Sequence, residues 1–336
     1  MPVAPRTPRA SLARKARGVA RLAVLRGGHS MERDVSFLTG RRVQHALERL
    51  GHEVHPLDIE ETTTQALMEL SPDAAFLCLH GPGGEDGTVQ ALLETLGIPY
   101  TGSGPLSSIR CMDKDYAKRA LGAAGIATPP FRTFLRRAMN EMGAAAALDV
   151  AAYSLGYPLV VKPAREGSSF GLSRVEGPDG LLDAVYEAFG YDAKILLEAW
   201  AEGPEVSVPV LEPAGEGPQM LGLVEIRPRG GAYNFEAKYT PGATDFAIPA
   251  EVPSEAADRL RQTALDAYRA LGCSAYARVD TIVEDDTPQV LDVKTIPGFT
   301  ETSTFPLAAE AAGSSFEKLI ETILESALQS EAPAKL

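Results

Sequence analysis

The stretch LDVKTIPGFTETS (291–303) sets a carboxylate, Asp292, and a lysine, Lys294, two positions apart ahead of a Pro-Gly turn. On a strand, residues two apart share one face. Upstream, YARVD ends in a second carboxylate, Asp280, and the intervening TIVEDDTPQV has its polar cluster in the middle, which predicts a hairpin. Two carboxylates brought together on neighbouring strands form half of a cage for a hard cation. Lys294 is the anomaly. A protonated ammonium cannot ligate, and at ~4 Å it repels a doubly charged ion by about 8 kcal/mol at an effective dielectric of ~20.

Anion-binding chemistry is the second theme. The chain has no G-x-x-x-x-G-K-[ST] and no G-x-G-x-x-G after a strand, so neither the P-loop nor the dinucleotide fingerprint applies. Lys162 instead follows a buried strand, and EGSSFG (166–171) adds small residues and the hydroxyls of Ser168 and Ser169. Such a segment is either a backbone cradle for phosphate with a lysine point charge, or an exposed hairpin turn. Lys114 opens a helix, where an anion would relieve its conflict with the macrodipole; a solvated lysine is the plainer alternative. Glu198 and Glu205 bracket AWAEGP, where a carboxylate could accept from ribose hydroxyls or simply face solvent. His29, Glu32 and His80 follow first-domain strands, the end at which open α/β sheets bind ligands. Neither a Ser–His–Asp order nor zinc-ligand spacing is present, which argues against a covalent hydrolase or a zinc enzyme.

The elements that must position these groups read as follows. RLAVLRGG (21–28) is a strand, MERDVSFLTGRRVQHALERLG a helix and HEVHPLDI a strand, a β-α-β opening that implies parallel pairing. AAFLCLHG is a further strand, DGTVQALLETLG a helix, and IPYTG another strand. A helix over 113–126 stops before TPPF, because two prolines forbid its continuation. The Ala-rich 136–156 reads as a surface helix, followed by strands at YPLVVKPA, LSRV and KILLEAW and a helix at LLDAVYEAFG. Helices at 254–271 and 314–329 flank the hairpin. The expected division is a basic tail over 1–20, an N-terminal α/β domain over 21–112, a central α+β domain over 113–199 and a C-terminal domain over 200–329. Within the last, the Gly/Pro-rich 227–246 forms a loop.

The 336 residues suffice for two or three domains, and 45% hydrophobic with 23% charged residues describes an ordinary globular chain. A net charge of −13 argues against a broad nucleic-acid surface, while a cleft can still be locally basic. No apolar run approaches the ~20 residues of a membrane span. Cys78, Cys111 and Cys273 are widely spaced and read as buried small apolar residues in a reducing compartment.

The ordered set GGHSMERDVS, LHGPGGEDGTVQALLETLGIPYTGS, MDK, LVVKPAREGSSFG, EGPEVSV, YNFEAKY, YARVD and TIPGFTETS resembles the D-alanine–D-alanine ligases of the ATP-grasp superfamily across about 21–328. The resemblance implies a three-domain ATP-grasp fold, an N-terminal Rossmann-like parallel sheet, and 227–246 as a lid. It implies ATP-driven formation of an acylphosphate on one D-alanine, attacked by the amine of a second, for peptidoglycan precursor synthesis. By motif, Lys114, Lys162, Lys238 and Ser169 would meet ATP phosphates, with Glu198, Ala199 and Trp200 at adenine and Glu205 at ribose. Glu32 would receive the first ammonium, linked through Ser168 to Tyr239, with His80 nearby in the substrate site. Arg278 and the Gly298 backbone would hold the oxyanion, and Ser303 the second carboxylate. It also implies magnesium, or manganese in its place, and a cytoplasmic homodimer.

The family's metal motif is Asp, then Glu-x-Asn. Here Asp280 stands, the glutamate is shortened to Asp292, and Lys294 replaces asparagine. One methylene less withdraws the carboxylate by roughly 1.5 Å. One cation is expected and a second is doubtful. The substitution suits either an enzyme working with one metal or a degraded nucleotide-binding homologue; the intact remainder of the site favours the enzyme. Tyr239 favours an amine acceptor, with a ligase for another D-amino acid or D-lactate as the alternative.

Overall fold

The computed structural model describes residues 18–230 and 233–329. The expected basic tail therefore falls outside the described residues over 1–17, as do two residues of the loop 227–246. By Ala20 the chain is already buried in a core.

Three sheets carry the site. The first is β1 (Arg21–Arg26), β2 (Glu53–Asp58) and β3 (Ala74–Leu77), all parallel in the order β2-β1-β3. The second is antiparallel: β4 (Phe131–Leu135), β5 (Leu159–Pro163), β6 (Ser173–Val175) and β7 (Lys194–Ala199), ordered β4-β7-β5-β6. The third holds β8 (Glu205–Leu211), β9 (Gln219–Met220), β10 (Val224–Pro228), β11 (Thr244–Ala247), β12 (Tyr276–Glu284) and β13 (Thr287–Lys294). Its path is β11-β10-β8-β12-β13, with β9 on β8.

Local chemistry sets the element ends. Asp113 caps helix Lys114–Ala123 by accepting from the Asp115 and Tyr116 amides at 3.1 and 3.4 Å, leaving Lys114 at the first turn. The expected strand at IPYTG is only an isolated parallel bridge, Ala75 to Tyr100. Leu77 N–H donates to the Thr101 hydroxyl at 3.0 Å instead of to a ladder carbonyl, and Gly102 then turns the chain at φ +95°. The surface helix read over 136–156 is two helices, Arg136–Met142 and Leu148–Leu155, because Gly143 is left-handed at φ 66°. Leu148, Ala151 and Ala152 of the second are buried against the central sheet.

Packing crosses the expected divisions. Helix Lys114–Ala123 lies within 113–199, yet Ala117 and Leu121 pack with Val206, Val208 and Val293 of the third sheet. Helix Phe316–Gln329 lies at the C-terminal end, yet Leu319, Ile320 and Ile323 pack with Leu22, Val24 and Phe76 of the first. Phe299 gathers Phe76, Tyr276 and Phe305 around it at centroid distances of 6.2, 5.8 and 5.8 Å. Each such aromatic pair adds ~0.5–1.5 kcal/mol beyond burial, so the chain entering the 300–303 turn is anchored on the first sheet. Among the described residues no helix is long and apolar enough to cross a membrane.

Candidate active site

The hairpin forms as its pattern requires, turning at Asp285 and Asp286, both with positive φ. Its register sets Asp280 opposite Asp292 and Arg278 opposite Lys294. A register shift follows at Asp280/Thr281, a bulge of the kind that re-aims side chains beside active sites. Arg278 donates to both Asp280 oxygens, at 2.8 and 2.6 Å. Lys294 Nζ lies 3.6 Å from Asp292 Oδ2 and 3.7 Å from Glu85 Oε2. Lys114 Nζ is 3.8 Å from the same Asp292 oxygen and donates to the Glu166 carbonyl at 2.7 Å.

Burial alone would raise the Asp292 pKa; Lys114 and Lys294 outweigh it and hold the carboxyl well below the usual range. Burial would likewise lower that of Lys294, but Asp292 and Glu85 raise it above an ordinary lysine. The ammonium is therefore fixed in its charged form. A cation here meets two carboxylates, and among the described residues no group of three or more His, Cys, Asp or Glu is placed to hold a metal. Two carboxylates completed by phosphate oxygens suit a single hard cation. A second ion finds an ammonium at Lys294, and a two-ion arrangement does not fit.

The segment 166–171 closes on the first sheet. Ser168 and Ser169 both take left-handed conformations, φ 48° and 61°, a strain that persists only where surroundings over-determine it. Ser168 donates to Glu32 Oε1, and its oxygen is 2.9 Å from the Tyr239 hydroxyl. Since serine has one proton, Tyr239 is the donor in the second bond. Burial and then Glu32 push the Tyr239 phenol up to about 12, so it stays protonated at neutral pH. Gly167 permits this approach, because a Cβ there would collide with the Glu32 carboxylate. Phe235 sits 5.0 Å from Phe170 and 4.9 Å from Tyr239 between ring centroids, sealing 166–171 against helix Phe235–Tyr239 of the loop 227–246.

Three further lysines come from separate elements: Lys162 from β5, Lys118 from helix Lys114–Ala123 and Lys238 from helix Phe235–Tyr239. Lys238 donates to Ser169 Oγ at 2.9 Å. Lys162 pairs with Glu198 Oε1 at 2.6 Å, and Lys118 with Glu198 Oε2 at 2.7 Å, all three buried. Burial, only partly opposed by Glu198, lowers the Lys118 pKa to about 8. Ala199 closes β7, and Trp200, the next residue, lies under the Arg174 guanidinium at 4.2 Å. Burial and the nearby Asp280 push Glu205 up to about 7.

The remaining expected groups stand at the far end of the hairpin and on the first sheet. Ser303 Oγ accepts the Thr300 amide at 3.0 Å and lies 2.8 Å from the Thr300 hydroxyl. A Cβ on Gly298 would come within 2.7 Å of Ser303 Oγ, so glycine keeps that hydroxyl in place. His80 is buried with a ring nitrogen 3.1 Å from Thr39 Oγ1, while its carbonyl accepts from Ser30 at 2.6 Å.

Sequence reasoning missed two residues. Lys118 follows Lys114 by four, which places both on one helix face, and that spacing was the available signal. Glu85 lies within LHGPGGEDG but carried no signal of its own, because its partner is on a strand more than two hundred residues away.

Residues 120–325 match the family model "D-ala D-ala ligase C-terminus", and 61–103 match "D-ala D-ala ligase N-terminus". The D-alanine–D-alanine ligase of Desulforudis audaxviator is 44% identical over 307 residues, 91% of this chain and 98% of the relative. The crystal structure of the Bacillus anthracis D-alanine–D-alanine ligase complexed with ATP superposes with a TM-score of 0.77 at 34% identity, covering 93% of this chain and 99% of that one. The VanG D-Ala:D-Ser ligase of Enterococcus faecalis gives 0.76 at 30% identity, covering 92% and 99%. The architecture is that of an ATP-grasp ligase. The chain belongs to the D-alanine–D-alanine ligase family.

Proposed function

We propose that this chain joins two D-alanines to D-alanyl-D-alanine at the expense of ATP, for peptidoglycan precursors, through an acylphosphate. The observation that carries the residue assignment is the bonded series Tyr239–Ser168–Glu32, drawn from three separate regions of the chain. Its open end is Glu32 Oε2, buried and without a hydrogen-bond partner among the described residues. A buried carboxylate oxygen left open is costly, and the ammonium of the first D-alanine is the complement it lacks.

In this reading the carboxylate of the first D-alanine attacks the γ-phosphorus, and the bond to the departing ADP breaks. Lys114, Lys162, Lys238 and the hydroxyl of Ser169 neutralise and orient the phosphates, while Glu198, Ala199, Trp200 and Glu205 hold the nucleoside. The amine of the second D-alanine, having lost its proton, attacks the acyl carbon; the C–O bond then breaks and phosphate leaves. Arg278 and the Gly298 N–H face the oxyanion, where such donors contribute most. Ser303 receives the second carboxylate, and His80 supports the donor pocket from behind. Tyr239, protonated and hydrogen-bonded to Ser168, orients rather than acting as a standing base. The loop 227–246 shields the acylphosphate from water. One divalent cation, magnesium or manganese, held by Asp280 and Asp292 would supply charge neutralisation at the phosphates. The reading places the enzyme in the cytoplasm as a homodimer.

The test is D-alanine-dependent phosphate release from ATP with identification of the product. A D,D-dipeptide supports the reading. ATP binding without dipeptide at any magnesium concentration would leave a nucleotide-binding homologue.

A further inference from the structure

Lys294 ends β13 and meets two acids from different parts of the chain. Asp292 lies on its own strand face. Glu85 comes from the turn after β3 and is itself buried, its Oε2 accepting the Gly81 N–H at 3.0 Å. The ammonium is thus held from both sides, by the hairpin and by the first sheet. Asp292 Oδ1 accepts the Val293 N–H at 3.0 Å, while Oδ2 faces Lys114 and Lys294. Asp280 stands directly across from Asp292 and is held by Arg278, which itself lies across from Lys294. A cation between the two aspartates meets two carboxylates, of which it shares Asp280 with Arg278. A cation beyond Asp292 meets a fixed ammonium, which repels it twice as strongly as it would a monovalent ion.

From this geometry we infer that Lys294, clamped by Asp292 and Glu85, is a built-in monovalent replacement for a second divalent ion, so that the nucleotide enters with one divalent cation. The ammonium supplies the missing positive charge to phosphate oxygens through N–H donors, a charge-assisted bond of the stronger kind. The inference rests on the ligase reading for the presence of nucleotide in this cleft. It changes how many metals the site loads.

The experiment uses the full chain with a non-hydrolysable imido analogue of ATP and Mn2+ as a paramagnetic probe, counting bound Mn2+ against bound nucleotide by EPR. Wild type should hold one Mn2+ per nucleotide with no exchange-coupled signal. Asp292→Glu, which restores reach but keeps the ammonium, should do the same. Asp292→Glu combined with Lys294→Asn should hold two, exchange-coupled. Two ions in wild type or in Asp292→Glu overturn the inference, as does one ion in the folded double variant. Lys294→Met, which keeps length without charge, should weaken binding of the Mn2+–analogue complex by about tenfold or more; unchanged affinity overturns the role of the charge. Failure of wild type to bind the analogue at all would remove the ligase reading beneath the inference, a result distinct from nucleotide bound with two ions.

Discussion

The Ser168 hydroxyl oxygen lies 2.9 Å from the Tyr239 hydroxyl, joining the 166–171 segment to the loop 227–246. Because Ser168 spends its proton on Glu32, the two bonds point one way, from phenol to serine to carboxylate. Ser168→Ala removes the middle member and leaves both ends buried. Losing a hydrogen bond to a charged group costs about 1.5–3 kcal/mol, or roughly 10–100-fold. That loss is expected in kcat/KM for the first D-alanine, with ATP affinity within a few-fold. Steady-state kinetics with each substrate varied checks it. An equal loss in ATP binding would place Ser168 at the nucleotide instead.

Arg278→Ala should lower turnover by ~10²–10³, the usual cost of deleting an oxyanion donor. The same guanidinium holds both Asp280 oxygens, so its removal also frees the carboxylate that the proposed reading gives to the cation. The expected signature is low kcat together with tighter, not weaker, divalent-cation binding, measured by titration calorimetry with the nucleotide analogue. Unchanged turnover at saturation would show that Arg278 faces something other than the reacting carbon.

Lys118→Met leaves Glu198 with Lys162 as its remaining ion-pair partner. Breaking one side of a buried pair typically costs ~3–5 kcal/mol, here toward the lower end because Lys162 stays. Chemical denaturation should show that loss, and the Lys118→Met/Glu198→Gln double variant should recover part of it. Additive losses would mean the two groups do not interact.

Glu205 gives a pH signature. Burial and then Asp280 raise its folded-state pKa to about 7, above that of an ordinary carboxyl. Between those values the folded chain holds a proton that the unfolded chain has released. The favourable contribution is therefore full at low pH and is lost as pH rises through about 7. Glu205→Gln, which cannot ionise, should gain stability relative to wild type on going from pH 5 to pH 8 in the absence of nucleotide. Parallel stability curves for the two proteins across that range would contradict the assignment.

Features set by local chemistry are legible in the sequence. The β12–β13 hairpin, the Asp280–Asp292 pairing and the conflict at Lys294 follow from strand alternation and one polar turn. Contacts between distant partners are not legible there. Periodicity shows that Leu319 and Ile323 share a buried face, but not that the face belongs to the first sheet. IPYTG has strand composition, but a threonine hydroxyl takes the ladder bond and Gly102 ends the pairing. Gly143 divides a stretch whose alanines suggest one continuous helix. Glu85 is an unremarkable acid in a Gly-rich turn until the fold brings Lys294 to it.

The central claim is that a D-alanine carboxylate is phosphorylated and then captured by a second amine. D-alanine labelled with oxygen-18 in its carboxylate, incubated with ATP and magnesium, tests both halves at once. Attack on phosphorus transfers one labelled oxygen to the phosphate, and amine attack leaves the other in the new amide carbonyl. The account predicts labelled inorganic phosphate and labelled D-alanyl-D-alanine in equal amounts by mass spectrometry. Unlabelled phosphate, or phosphate release without dipeptide, would contradict it.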